Sequence, residues 1–164
     1  MKNPAKTVEN ELLHITLSAK DLKAKQEKKA KAMMLPEKVE GKFELEYVVH
    51  GSPKILYEFI STATGLSEWF ADTVNVHNDI YTFVWDKTEQ QAKLLRLEDQ
   101  KSIRLTWLDK TDDSYFEFRI EKDDMTGDIS LLIIDFADSP AERVSSKSLW
   151  DSQVDRLLHI MGTY

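Results

Sequence analysis

The end of the chain constrains the fold most, because it predicts a long amphipathic helix that needs a surface to pack on. Ser139 suits the N-cap of this helix, Pro140 suits its first position and Gly162 suits its end. Its apolar side chains, three, four or seven positions apart, share one stripe: Trp150, Val154, Leu157, Leu158 and Met161. A helix of about six turns requires a wide apolar partner, and we expect a β-sheet to provide it.

The region between Gly41 and Phe136 alternates apolar and polar residues in short segments separated by turn residues, which is typical of antiparallel strands. After a first strand around Phe43–Val49, the sequence predicts a helix at Lys54–Ser61, a break at Thr64-Gly65 and a helical turn at Leu66–Phe70. The six later strands are predicted at Thr73–His77, Tyr81–Asp86, Gln90–Leu97, Ser102–Leu108, Tyr115–Glu121 and Asp128–Phe136. The gaps between them are too short for crossover helices, so we predict an α+β fold with helices on one face of an antiparallel sheet.

Six aromatic residues on five of these elements are expected to converge between the sheet and the final helix. They are Trp69, Phe83, Trp85, Trp107, Phe118 and Trp150. Large rings commonly fill a core, and that interpretation stays open. The alternative is that they line a cavity for an apolar ligand, which makes them the candidate ligand-binding residues.

Charge divides the chain into two parts, a basic extension at 1–40 and a predicted domain at 41–164. The extension holds nine Lys against six acidic residues, and the domain holds thirteen basic against twenty-three acidic residues. Such a domain should repel nucleic acid, and the mixed charges of the extension favour a solvated, partly helical segment. Met33 and Met34 stand just before the domain, and a natural translation start at either of them is a hypothesis.

The sequence gives no pattern for catalysis, for a metal site or for a cofactor. The four His residues are scattered and there is no Cys, which removes thiolate chemistry and the usual zinc-ligand spacing. Most acidic residues occupy solvent-facing positions of the strands. Asp135 is the exception: it lies between Ile134 and Phe136 and must find a donor or face water, and we expect it to have a structural role.

No apolar run reaches the roughly 18 residues that span a membrane, and the N-terminus lacks the pattern of a signal peptide. We therefore expect a cytoplasmic protein with no membrane span.

The segment Ile129–Ile134 is apolar on both faces apart from Ser130, and the first strand is similar at Val48 and Val49. One face is expected to pack on the long helix, which leaves an apolar patch on the other. The N-terminal extension or a second copy in a homodimer could cover it, and a modest exposed patch is the alternative.

Three stretches carry a resemblance to a known family. They are Ser52-Pro53 through Gly65-Leu66-Ser67-Glu68-Trp69-Phe70, the strand Arg104-Leu105-Thr106-Trp107, and Leu149-Trp150 through Val154-Asp155-Arg156-Leu157. In this order, over about residues 41–161, they resemble the START-like superfamily, also called helix-grip or birch-pollen-allergen-like. Within it they are most similar to the homologues of the activator of the heat-shock chaperone ATPase. In the last stretch Leu149 stands where that branch has Gly, and Val154 where it has Leu.

The resemblance implies a curved sheet of about seven strands wrapped around the C-terminal helix, with two short helices after the first strand. It also implies three functions, in this order of preference. The first is a module that binds a small hydrophobic ligand between sheet and helix, the second is a protein-interaction module or co-chaperone, and the third is an enzyme of the polyketide-cyclase kind.

Overall fold

A computed structural model describes residues 40–162 and shows the predicted α+β architecture. The strands are β1 (Lys42–Val49), β2 (Thr73–His77), β3 (Ile80–Trp85), β4 (Thr88–Glu98), β5 (Ser102–Trp107), β6 (Phe116–Lys122) and β7 (Ile129–Phe136). The helices are α1 (Pro53–Ser61), α2 (Ala63–Trp69) and α3 (Pro140–Met161). The predicted extension and the candidate starts at Met33 and Met34 lie outside the described residues, apart from Glu40.

All seven strands form one antiparallel sheet in the order β1-β7-β6-β5-β4-β3-β2. The hairpins from β2 to β7 follow the chain, and β1 then pairs with the last strand. Strands β3, β5 and β7 therefore run in one direction, so their carboxyl ends lie at the same end of the sheet.

Helix α3 has the predicted ends and packs its predicted stripe on the sheet. The Ser139 hydroxyl accepts a hydrogen bond from the backbone N–H of Glu142, and Gly162 ends the helix with a left-handed φ of 68°. Trp150, Val154 and Leu157 are buried, and Leu158 and Met161 pack partly buried against the core. This is the helix-grip arrangement that the sequence predicts.

The predicted break between the two short helices is wrong by two residues. The chain turns at Thr62, whose hydroxyl caps α2 by accepting the backbone N–H of Gly65, so Gly65 lies inside the helix. A Cβ at Gly65 would stand 2.1 Å from the carbonyl oxygen of Glu58. Glycine is thus required here by the close packing of α1 on α2, and it does not mark a break.

The face of the sheet turned away from α3 holds one acidic residue that the alternation places in solvent but that is buried. Glu117 is 1% exposed and pairs with two guanidinium groups; its Oε1 lies 2.7 Å from Nε of Arg104, and Arg119 contacts its other oxygen. These partners compensate the buried charge. On the same face Ile134 is buried and Leu132 half-buried, while Val48 of β1 is 54% exposed. That the extension or a second copy covers this face remains a prediction.

Candidate ligand-binding cleft

The space between the sheet and α3 is filled by rings at its centre. Trp69, Phe83 and Phe118 are each 0% exposed. Trp69 lies 5.4 Å from Phe118, centroid to centroid, and its indole Nε1 donates to the carbonyl oxygen of Phe59. We call these three residues the deep cluster. They pack as a core should, with tilted ring pairs and the buried indole N–H satisfied.

A cleft of about 360 Å³ opens beside the deep cluster, at the end of the sheet where β3, β5 and β7 finish. Trp85 and Trp107 are the last residues of β3 and β5, and Asp135 is the penultimate residue of β7. Because these strands run in the same direction, their ends place the three side chains around one opening. Phe70 at the end of α2 and Trp150 of α3 close the other sides.

We call Trp85, Trp107 and Trp150 the cleft rings. Trp85 and Trp107 are half-buried, and Trp150 is 6% exposed. Phe83 stands behind both strand residues, with ring centroids 5.8 Å from Trp85 and 5.7 Å from Trp107, and Phe118 stands 5.6 Å behind Trp150. The rigid core therefore backs the walls of the cleft, which limits rearrangement of the rings.

Hydrogen bonds fix the orientation of two cleft rings. The indole Nε1 of Trp85 donates to the carbonyl oxygen of Phe70 at 2.6 Å, and the amide Nε2 of Gln153 donates to the same oxygen at 3.1 Å. The indole Nε1 of Trp150 donates to Oδ2 of Asp135 at 2.9 Å. The indole N–H groups of Trp85 and Trp150 are therefore already bonded within the protein.

Asp135 is the titratable group of the cleft. Its Oδ1 accepts the backbone N–H of Phe136 at 2.8 Å, in addition to the bond from Trp150. Burial raises the pKa of the Asp135 carboxyl above its ordinary value; the two hydrogen bonds act in the opposite direction but are the smaller effect. The structural role that the sequence suggested is present, since Asp135 links β7 to α3, but the carboxyl also lines the cleft.

The six predicted site residues thus fall into two groups of three. Trp85, Trp107 and Trp150 line the cleft, and Trp69, Phe83 and Phe118 form the deep cluster. Phe70 and Gln153 also line the cleft but are not among the six predicted site residues. Phe70 adjoins the predicted Trp69, and its ring stacks on Trp150 at 5.7 Å because α2 ends at Trp69 and directs the next residue toward α3.

Among residues 40–162, no group of three His, Asp or Glu side chains is arranged to hold a metal ion, and no helix in this range is long and apolar enough to cross a membrane.

Similar structures share this architecture. BfR322 from Bacteroides fragilis, solved by NMR, is 36% identical to this chain and superposes with a TM-score of 0.55. The match covers 75% of this chain and 91% of BfR322. The Aha1 dimer from Colwellia psychrerythraea is 12% identical, with a TM-score of 0.60. The match covers 73% of this chain and 92% of the Aha1 chain. DynU16, from the dynemicin biosynthetic locus, is 13% identical with a TM-score of 0.63, covering 76% of this chain and 48% of its own.

Nothing among the curated proteins matches this sequence. The family model of the START-like superfamily domain matches residues 35–163. Together with the 36% identity to the Bacteroides fragilis protein and the sheet wrapped on a closing helix, this match shows that the chain belongs to the START-like superfamily.

Proposed function

We propose that this protein binds a small, ring-containing apolar molecule in the cleft beside Trp85, Trp107 and Trp150. The observation that carries the proposal is the cleft itself, about 360 Å³ with aromatic walls and a few polar groups. Ligand sites in proteins typically measure about 300–1,000 Å³ and combine apolar walls with a small number of fixed polar groups.

The filled deep cluster sets the size of the ligand. Because Trp69, Phe83 and Phe118 leave no exposed surface, the ligand lies at the mouth of the fold and not in its centre. A molecule of one or two fused rings suits this space. Small apolar ligands gain at most about 1.5 kcal/mol per heavy atom and usually much less, so we expect affinities of about micromolar.

A protein side chain is the alternative occupant, because α3 presents two exposed apolar residues near the same end of the sheet. Leu149, at the edge of the cleft, is 61% exposed and Val144 is 71% exposed. The likeness to the Aha1 dimer, at 12% identity, extends to the fold alone and does not favour this alternative. The small-molecule proposal is preferred because the rings around the cleft are held by the core and by their own hydrogen bonds.

The four tryptophans provide the test, because each gives one indole N–H signal in a ¹H–¹⁵N NMR spectrum. Titration with the neutral probe 1-naphthylmethanol should shift the signals of Trp85, Trp107 and Trp150 and leave that of Trp69 in place. Trp107→Ala should weaken binding about tenfold, since an aromatic pair contributes about 0.5–1.5 kcal/mol beyond the apolar area that it buries.

Phe59→Ala is the matched control, because Phe59 is a half-buried ring that lines a different groove beside Gly65 and Ile160. This variant should bind the probe as the wild type does. Absence of any shift at millimolar probe, or shifts confined to the Phe59 groove, would refute the proposal and move the protein-interaction alternative to first place.

A further inference from the structure

Asp135 gives the cleft a chemical preference that its rings alone would not have. It lies on the face of β7 that carries Leu131 and Ile133 toward α3, opposite Phe43 of β1. A carboxylate among apolar neighbours is costly unless its charge is compensated. The partners of this group therefore decide what the cleft can hold.

Both hydrogen-bond donors to Asp135 are neutral, one a backbone N–H and the other an indole N–H. Ion pairs within residues 40–162 include those of Arg96 with Glu98, of Arg104 and Arg119 with Glu117, of Arg119 with Glu121, and of Lys147 with Asp151. None of these pairs involves Asp135. Of the charged groups near it, Lys110 lowers the pKa of its carboxyl and Glu142 raises it, and Glu142 has the larger effect.

The aromatic faces of the cleft also lack a cationic partner within the described part of the chain. The three cation–ring contacts found there place Lys42 and Arg104 over Tyr115 and Arg143 over Phe43. Indole is the best aromatic partner for a cation, and two half-buried indoles, those of Trp85 and Trp107, line the cleft. Trp85 and Trp107 lie 6.1 Å apart, centroid to centroid, with their planes inclined by 57°.

We infer that the molecule bound in this cleft is an organic cation, an amine or ammonium group on a flat apolar ring system. The inference rests on the proposed function. The ammonium group lies against Asp135 and donates to the carboxylate lone pairs that Phe136 and Trp150 leave free, while the ring lies against Trp85 and Trp107. Charge-assisted hydrogen bonding and the π faces then act on the same ligand.

The charge of the rest of the domain acts in the same direction. Residues 41–164 hold thirteen basic and twenty-three acidic residues. The resulting field favours the approach of cations over anions. It does not by itself select the cleft, and the test must separate this general effect from that of Asp135.

A matched pair of ligands provides the test: 1-naphthylmethylamine, cationic at neutral pH, and the neutral alcohol 1-naphthylmethanol of nearly the same shape. The wild type should bind the amine about tenfold more tightly than the alcohol, because a hydrogen bond to a charged group contributes about 1.5–3 kcal/mol. In Asp135→Asn the preference should fall to about twofold. Asp79→Asn removes one charge from an exposed turn at the opposite end of the sheet and should keep it.

The outcomes separate the two proposals. If the neutral alcohol does not bind, the proposed function fails. If both bind the wild type equally well, or if Asp135→Asn keeps the preference, the cation inference fails and the proposed function stands. If Asp135→Asn does not fold, acidification of the wild type replaces it: the preference for the amine should disappear as the Asp135 carboxyl takes up a proton, and a preference that persists would overturn the inference.

Discussion

Two groups of aromatic residues lie side by side in this domain and differ in how far they are buried. The deep cluster (Trp69, Phe83 and Phe118) is 0% exposed, whereas two of the cleft rings, Trp85 and Trp107, are half-buried and accompany a carboxyl group. Phe83 and Trp85 belong to the same face of the same strand, two residues apart. Within β3, residue type and strand face thus do not distinguish an enclosed core ring from a ring that lines the cleft, whereas position along the strand does.

The distinction has an energetic counterpart. A ring enclosed on all sides contributes its whole apolar area to the free energy of folding, because unfolding exposes it completely. A ring at the mouth of the cleft keeps part of its face in water, so ligand binding can remove that area from water later. Substitutions in the deep cluster should therefore change stability, and substitutions of the half-buried Trp85 and Trp107 should mainly change affinity.

The largest effect is expected for Phe118→Ala. This ring contacts Trp69, Phe70, Phe116 and Trp150, and its removal should lower the free energy of unfolding by about 3–5 kcal/mol through lost burial and the resulting cavity. Urea denaturation measures the loss. Trp107→Ala is the comparison variant and should lose less, and an equal loss would remove the distinction between the two regions.

Trp150→Phe should have a smaller effect, because it keeps a ring between Phe70 and Phe118 and removes the donor to Asp135. Leaving a partly buried acceptor without its partner costs about 1–3 kcal/mol. Thermal unfolding of the variant should show this loss in the wild-type background. In an Asp135→Asn background the loss should differ, since the two residues share one hydrogen bond, and strictly additive losses would contradict the described bond.

The stability of the fold should depend on pH through Asp135. Burial raises the pKa of this carboxyl in the folded state, so the folded protein holds the proton more tightly than the unfolded chain does. The favourable contribution is complete below the unfolded pKa, near the ordinary value of 3.8, and is lost as pH rises through the higher folded pKa.

The difference in unfolding free energy between wild type and Asp135→Asn isolates this dependence from that of other carboxyls. The wild type should become more stable relative to Asp135→Asn as the pH falls from the folded pKa of Asp135 toward its unfolded pKa. A difference that stays constant with pH would show that Asp135 is solvated like a surface carboxyl.

The smallest effect is expected on the exposed side of α3, which belongs to neither region. Lys147 Nζ lies 2.8 Å from Oδ2 of Asp151, and both side chains are about half exposed, at 57% and 46%. Lys147→Gln should cost about 0.3–0.5 kcal/mol, and less at high salt. Chemical denaturation at two salt concentrations measures it. A cost as large as that of Trp150→Phe would mean that polar contacts along the whole helix matter as much as those at the cleft.

Much of the fold could be predicted from the sequence because its signals are local. Alternation on strands, Ser139 and Pro140 before α3, and Gly162 after it each act within a few residues, and the structure has strands and helix ends at or within a few residues of these positions. The break between the short helices was misplaced because glycine usually interrupts helices, whereas Gly65 is inside α2 to let it approach α1.

The site could be predicted only in part, because its geometry depends on relations between strands that are distant in the sequence. The sequence shows that Phe83 and Trp85 share a face, but not that the ends of β3, β5 and β7 adjoin the same opening. Glu117 was misjudged for the same reason. The alternation of β6 predicts that Glu117 faces solvent, but the pairing of β5 with β6 places Arg104 beside it.

The pairing of β1 with β7 has a consequence for how the chain reaches its folded state. Hydrogen bonds join Lys42–Val49 to Ile129–Phe136, and Gly41 accepts the backbone N–H of Ala137 at 3.0 Å. Strand β1 therefore cannot pair until β7 has been synthesised, whereas the hairpins from β2 to β6 can form earlier. Long-range pairing of this kind slows folding, and the alternating apolar face of β1 stays available to other chains until the ribosome has released nearly the whole domain.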